Sequence, residues 1–313
     1  MNQFDALLQC MAMCGLMGAF CALLAVPIFV WLAVRGVAPQ IRSMSNDGHW
    51  QAPLAAISAA LPSLLFLSIA GMILSTVAHL PSSTMLVCRV SMIVIEIAIM
   101  AGVARAAVCT AHHCRESHRI IARSLPPSAH VQDSASRYGV RIRELDDEVP
   151  FCGVAGIVRP VVLVSRGALA RLSDDELDAA LLHERSHIRR FDQLLAAVLT
   201  FCVDCVPLPA GDLVKTYRTA RESVADSDAA ALVDPRDLAG AILALAAGTR
   251  DSHAFAALSS SQCLQARLRV LIEPPQYAAP TAELRARRVL LSAWLAAIAI
   301  LSSVPFIEHT FHI

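Results

Sequence analysis

The residues most able to do chemistry are His183-Glu184-Arg185-Ser186-His187. On a helix, positions i and i+4 lie one turn apart on one face, so both imidazoles can reach one Zn²⁺ ion, one ion per chain. Glu184 follows the first ring and is placed to accept a proton from an attacking water. Composition alone would produce H-E-x-x-H only about 0.01 times in a chain with 11 His. That frequency counts against the bland alternative, a surface helix with two solvated histidines. A hydrolytic zinc site uses three protein ligands and keeps one position open. Glu222 is the candidate third ligand, 35 residues after His187. Asp226 lies one turn beyond it, where it can hold a ligating imidazole by its other N–H. The competing reading is an exposed acidic helix face of Glu222, Asp226 and Asp228. Arg218, Tyr217 and His253 are candidates for stabilising an oxyanion in the transition state, each with a purely structural alternative.

The elements that must position these groups are legible around them. Ser173 followed by Asp174, Asp175 and Glu176 predicts a capping box, and three first-turn carboxylates suit the positive helix end. The helix is expected to run to about Arg190, with Arg185, Arg189 and Arg190 at its negative end. Upstream, 140–145, 151–155 and 160–165 read as strands of a short two- or three-stranded sheet. The apolar stretch 194–208 is short for a membrane crossing and contains Asp204, so a buried or membrane-surface helix is expected, seating the site close to a bilayer. Residues 249–262 read as a loop and 265–272 as an amphipathic piece, followed by a loose linker to Arg285.

Hydrophobic residues make up 56 % of the 313 and charged residues 17 %, against roughly 45–50 % and about 25 % in ordinary soluble domains. This excludes a disordered regulator and disfavours a simple water-soluble enzyme. The 26 Lys+Arg cancel the 26 Asp+Glu, so direct nucleic-acid binding is not expected. Four long apolar runs account for the excess: residues 6–34, 51–83, 85–108 and 289–307. Each is long enough to span a bilayer. Arg35 and Arg42 follow the first run, Arg105, Arg115, Arg119 and Arg123 follow the third, and Arg285, Arg287 and Arg288 precede the fourth. The positive-inside rule then puts both termini outside and the intervening polar block in the cytoplasm. The expected division is 1–108, a three-span region; 109–288, an α+β zincin-like metallopeptidase domain in a mostly α polytopic protein; and 289–313, a fourth transmembrane helix with a short external tail.

Glu96 sits near the middle of the third run, where a carboxylate is a functional candidate by default. An intramembrane relay, a homodimer contact, and pairing within the bundle with Arg89 all stay open. Six of the ten cysteines (Cys109, Cys114, Cys152, Cys202, Cys205 and Cys263) fall in the cytoplasmic block, where thiols stay reduced. Cys202-x-x-Cys205 reads as buried packing and His112, His113, Cys114 and His118 as an interfacial helix face, in preference to metal sites.

The pattern His183-Glu184-x-x-His187 with Glu222-x-x-x-Asp226 resembles the gluzincin membrane metallopeptidases, and more narrowly the BlaR/MecR-type sensor-transducer family. Phe151-Cys152-Gly153 and Gly156-x-x-x-Pro160-x-Val162-Leu163-Val164 are similar to that family's strand pair before its active-site helix. His187-Ile188-Arg189-Arg190-x-Asp192 is similar to the way its zinc helix ends, and three runs before the block with one after it match its layout. The resemblance implies a zinc endopeptidase of the bacterial inner membrane, His183, His187 and Glu222 as ligands, Glu184 as the general base, and an edge strand near 152–155 that pairs with an extended peptide. It implies a protein substrate, a transcriptional repressor of the BlaI type. Antibiotic receptors of the family carry a penicillin-binding sensor domain after the fourth span; only 308–313 follow it here, so β-lactam sensing is not expected to carry over. HtpX-like and CAAX-processing peptidases share the ligand pattern, which keeps a quality-control or processing role open. A receptor or scaffold with a structural zinc is the remaining alternative, and an intact Glu184 weighs against it.

Overall fold

The computed structural model describes residues 41, 51–61, 63, 86–205, 211–247 and 261–272. After a helical segment over 51–61 come α1 (Leu86–Arg123), α2 (Ala129–Tyr138), β1 (Ile142–Leu145), β2 (Cys152–Ala155), β3 (Val161–Ser165) and the single turn α3 (Arg166–Leu169). Then follow α4 (Asp174–Arg189), α5 (Asp192–Cys205), α6 (Gly211–Ala230), α7 (Pro235–Ala247) and α8 (Ser261–Ile272). The architecture is mostly helical α+β with one small sheet. Among the described residues no helix is long and apolar enough to cross a membrane. The expected four transmembrane helices are therefore not met there. Runs 6–34 and 289–307 and most of 51–83 lie outside the described residues, while 86–108 forms the first part of α1. That helix continues without a break through 109, across the expected boundary between membrane region and peptidase domain. Glu96 falls in α1, its side chain outside the description.

The sheet order is β1-β3-β2. Val161–Ser165 is buried at every position, as expected for the central strand of a sheet covered by helices. It pairs parallel with β1 (Ile142 opposite Val162) and antiparallel with β2 (Cys152 opposite Val164). Among the described residues β2 is thus an edge strand. Phe151 O accepts from Ser165 N at 2.9 Å, so by the two-residue alternation Gly153 and Ala155 turn their backbone groups toward β3, and Cys152 and Val154 turn theirs to the open edge.

The helix α4 packs on several sides at once. Its start is fixed by the capping box: Ser173 Oγ accepts from Glu176 N at 3.3 Å, and Glu176 Oε2 accepts from Ser173 N at 2.9 Å. Leu177 and Leu181, one turn apart, pack with Val162 and Val164 of the sheet and Val131 and Ala135 of α2. Ala179 and Leu182 pack against Ala229 of α6, Leu238 of α7 and Leu271 of α8. Leu181 is 0 % exposed, so Leu181→Ala should cost about 2–5 kcal/mol through lost burial and a cavity. The N-terminal segment joins this assembly: Ile41, Leu54, Ala55, Ala59 and Leu61 form one core with Leu199 of α5 and Leu213 and Tyr217 of α6. Gly167 lets the turn after β3 lie against the chain before β2, because a Cβ there would fall 1.9 Å from the Glu148 carbonyl oxygen.

Candidate metal centre

With one face of α4 on the sheet and another on α7 and α8, the stripe carrying His183 and His187 turns toward α6. Both rings are buried, at 7 % and 5 % exposure. Their Nε2 atoms face each other at 3.1 Å, and Glu222 enters from α6 with Oε2 3.5 Å from His183 Nε2 and Oε1 3.7 Å from His187 Nε2. One ligand atom from each of the three lies within 4.8 Å of the others.

The far side of each ring explains why Nε2 is the inward-facing lone pair. His187 Nδ1 lies 2.6 Å from Asp192 Oδ2, with both side chains 6 % exposed. His183 Nδ1 lies 3.0 Å from Asp226 Oδ1, close though poorly aligned for a hydrogen bond. A carboxylate on Nδ1 fixes its proton there and leaves Nε2 as the donor atom. Two such lone pairs 3.1 Å apart repel unless a proton or a cation lies between them. Two imidazoles and a carboxylate converging in this way fit a divalent cation of intermediate softness.

Without a cation the surrounding carboxylates favour the protonated His183 ring. Burial works to lower the His183 pKa, but the contacts with Asp226 and Glu222 overcome it and raise the value to about 10. Burial works the other way on Glu222, and His183, His187 and Arg267 hold its carboxyl well below the usual range. Asp226 is likewise lowered, by His183 and Arg267 against burial.

A strained turn brings Asp192 to His187. The helix α4 ends at Arg189, Arg190 caps it, and Phe191 takes the left-handed conformation at φ 55° while 67 % exposed. A non-glycine residue there costs of order 1 kcal/mol. The reversal starts α5 at Asp192 and folds its carboxylate back under the preceding helix. Asp228 of α6 fastens the same helix end, accepting from Ser186 Oγ at 2.6 Å and Arg190 Nε at 3.2 Å. The acidic stretch of α6 is therefore no solvated face: Glu222 is 21 % exposed, Asp226 6 %, Asp228 40 %, and each has named partners.

Glu184 is half-buried beside His183. It lies on the β2 side of α4, since its charge adds to burial in pushing the Cys152 thiol well above its usual range. Of the oxyanion candidates, Arg218 is exposed and His253 lies outside the described residues. Tyr217 is 3 % exposed in the core with the N-terminal segment. Its hydroxyl has no hydrogen-bond partner among the described residues, and burial, with the charge of Asp192, pushes it up to about 12. Cys202 and Cys205 are buried, where burial raises both thiols. His112 and His113 stand exposed on α1.

Three residues of the site escaped the sequence reading as parts of it. Asp192 follows His187 by five residues, beyond one helical turn, and only the left-handed Phe191 returns it. Arg221 Nη2 donates to Glu222 Oε1 at 3.0 Å, and Arg267 of α8 reaches both Glu222 and Asp226. Neither arginine is marked by spacing.

No curated protein and no solved structure matches the chain. The family model described as BlaR1 peptidase M56 matches residues 23–271, which contain every element described above from the segment at 51–61 to α7 and nearly all of α8. The chain belongs to that family of membrane-associated metallopeptidases, as the residues of the metal centre had indicated.

Proposed function

We propose that this chain is an integral-membrane zinc endopeptidase that cuts a cytoplasmic protein in regulatory signalling. The observation that carries the reading is the convergence of His183, His187 and Glu222 on one point, with Glu184 next in sequence to the first of them. Zinc, once bound there, polarises a scissile carbonyl and lowers the pKa of water toward about 7. Glu184 takes the proton from the attacking water and returns it to the leaving amine. Asp192 and Asp226 hold the two imidazoles in the tautomer that points Nε2 inward.

Substrate binding is assigned to β2. Its open edge offers the backbone groups of Cys152 and Val154 to an extended peptide, a mode in which main-chain hydrogen bonds supply affinity. Gln193 Nε2, which donates to Val154 O at 3.2 Å, is the group an incoming strand must displace at that carbonyl.

The arginine pattern supports a peptidase domain in the cytoplasm and both termini outside, while the four apolar runs and the family support four spans in the inner membrane of a bacterium. A repressor of the BlaI type is the substrate that family membership favours. The test is cleavage by the detergent-purified protein, wild type beside Glu184→Gln, of such a repressor and of an unfolded model protein. Cleavage of the repressor in preference, lost with Glu184→Gln, supports signalling; equal cleavage of unfolded protein supports quality control; no cleavage by a zinc-loaded wild type leaves a latent enzyme awaiting its signal or a scaffold.

A further inference from the structure

The guanidinium of Arg267 arrives from α8, 41 residues after Asp226 in sequence, and its side chain is 21 % exposed. Its Nε and Nη2 donate to Asp226 Oδ2 and Oδ1, both at 2.7 Å. Its Nη1 lies 3.4 Å from Glu222 Oε2. Glu222 and Asp226 are one turn apart on α6, so their carboxylates stand side by side, and one planar fork spans both. Each carboxylate in turn faces His183: Glu222 at Nε2 (3.5 Å) and Asp226 at Nδ1 (3.0 Å). A point-like ammonium cannot hold two oxygens of one carboxylate side-on and reach the next carboxylate with a third nitrogen; a guanidinium can.

We propose that Arg267 is a positioning residue of the metal centre, fixing the direction of Glu222 directly and that of the His183 ring through Asp226. The inference rests on the metal reading of His183, His187 and Glu222. A different role, simple neutralisation of two buried carboxylates, makes the opposite prediction. Removing a cation beside the ligands would strengthen their attraction for a dication, whereas removing a positioning contact weakens binding despite that gain.

The experiment measures zinc affinity of the full-length protein by competition with a chromophoric chelator, for wild type, Arg267→Met, Arg267→Lys and the control Arg269→Gln, an exposed site on the same helix. Circular dichroism of each metal-free protein checks the fold, and Arg267→Lys carries the test where Arg267→Met does not fold. Loss of positioning predicts roughly 10–100-fold weaker zinc binding in both Arg267 variants, the range seen for residues that orient ligands, with Arg269→Gln at the wild-type value. The visible spectrum of the cobalt-loaded protein should change in intensity for Arg267→Lys, since the ligand geometry changes while the charge stays. Wild-type or tighter affinity in a folded Arg267→Lys overturns the inference while leaving the metal reading intact. A wild type that binds no zinc removes both.

Discussion

Asp192→Asn keeps the shape of the side chain and removes its charge, which makes it the sharpest probe of how His187 is held. The carboxylate oxygen lies 2.6 Å from His187 Nδ1, and both side chains are 6 % exposed. A charge-assisted hydrogen bond in such a water-poor setting is worth about 1.5–3 kcal/mol. At 1.36 kcal/mol per factor of ten, the loss corresponds to roughly 10–100-fold in zinc affinity, consistent with the range for partners of ligating histidines. Asp226→Asn should cost less through His183, because Nδ1 lies 3.0 Å from Asp226 Oδ1 without an aligned hydrogen bond. Asp228→Asn is the control: Asp228 binds Ser186 and Arg190 near the same helix end but neither imidazole. The assay is chelator competition at fixed pH on folded protein. Wild-type affinity in Asp192→Asn, or a loss equal to that in Asp228→Asn, would refute the claim that Asp192 orients a metal ligand.

Other consequences follow from the same contacts. In the metal-free protein the raised His183 value stabilises the fold fully below about pH 6.5 and is lost as pH rises toward about 10. The lowered Glu222 and Asp226 values contribute above their ordinary 4.5 and 3.8 and are lost as pH falls further. Thermal unfolding of metal-free protein should therefore peak between those limits, and the alkaline flank should flatten in His183→Ala. Ser173→Ala removes the N-cap of the helix that carries His183 and His187 and should cost about 1 kcal/mol by chemical denaturation. Gly167→Ala drives a methyl against the Glu148 carbonyl and should cost about 1–3 kcal/mol or more; a melting temperature equal to wild type would contradict the close backbone approach. Glu184→Gln should keep its zinc while kcat falls about 10²–10⁴-fold.

What the sequence made legible was local. The capping box at Ser173 and the cations near Arg190 bounded the helix of His183 and His187 to within a residue, because caps act through neighbours in the chain. The strand positions came from alternation and β-branched runs, each within two residues of Ile142–Leu145, Cys152–Ala155 and Val161–Ser165. Strand order was not legible: nothing in three short runs says that the third lies between the first two. The same limit applies at the site. Glu222 and Asp226 could be read from one helical turn of spacing, whereas Asp192 depends on a left-handed phenylalanine and Arg267 on the docking of α8. Both are tertiary events. The loop expected over 249–262 gives way to helix at Ser261, and 248–260 lies outside the described residues.

Metal content tests the central claim most directly. Elemental analysis of folded, detergent-purified protein should find one zinc per chain in the wild type and in Glu184→Gln, and little in His183→Ala, His187→Ala or Glu222→Ala. A folded wild type that takes up no zinc, or a His183→Ala variant that keeps it, would contradict the account.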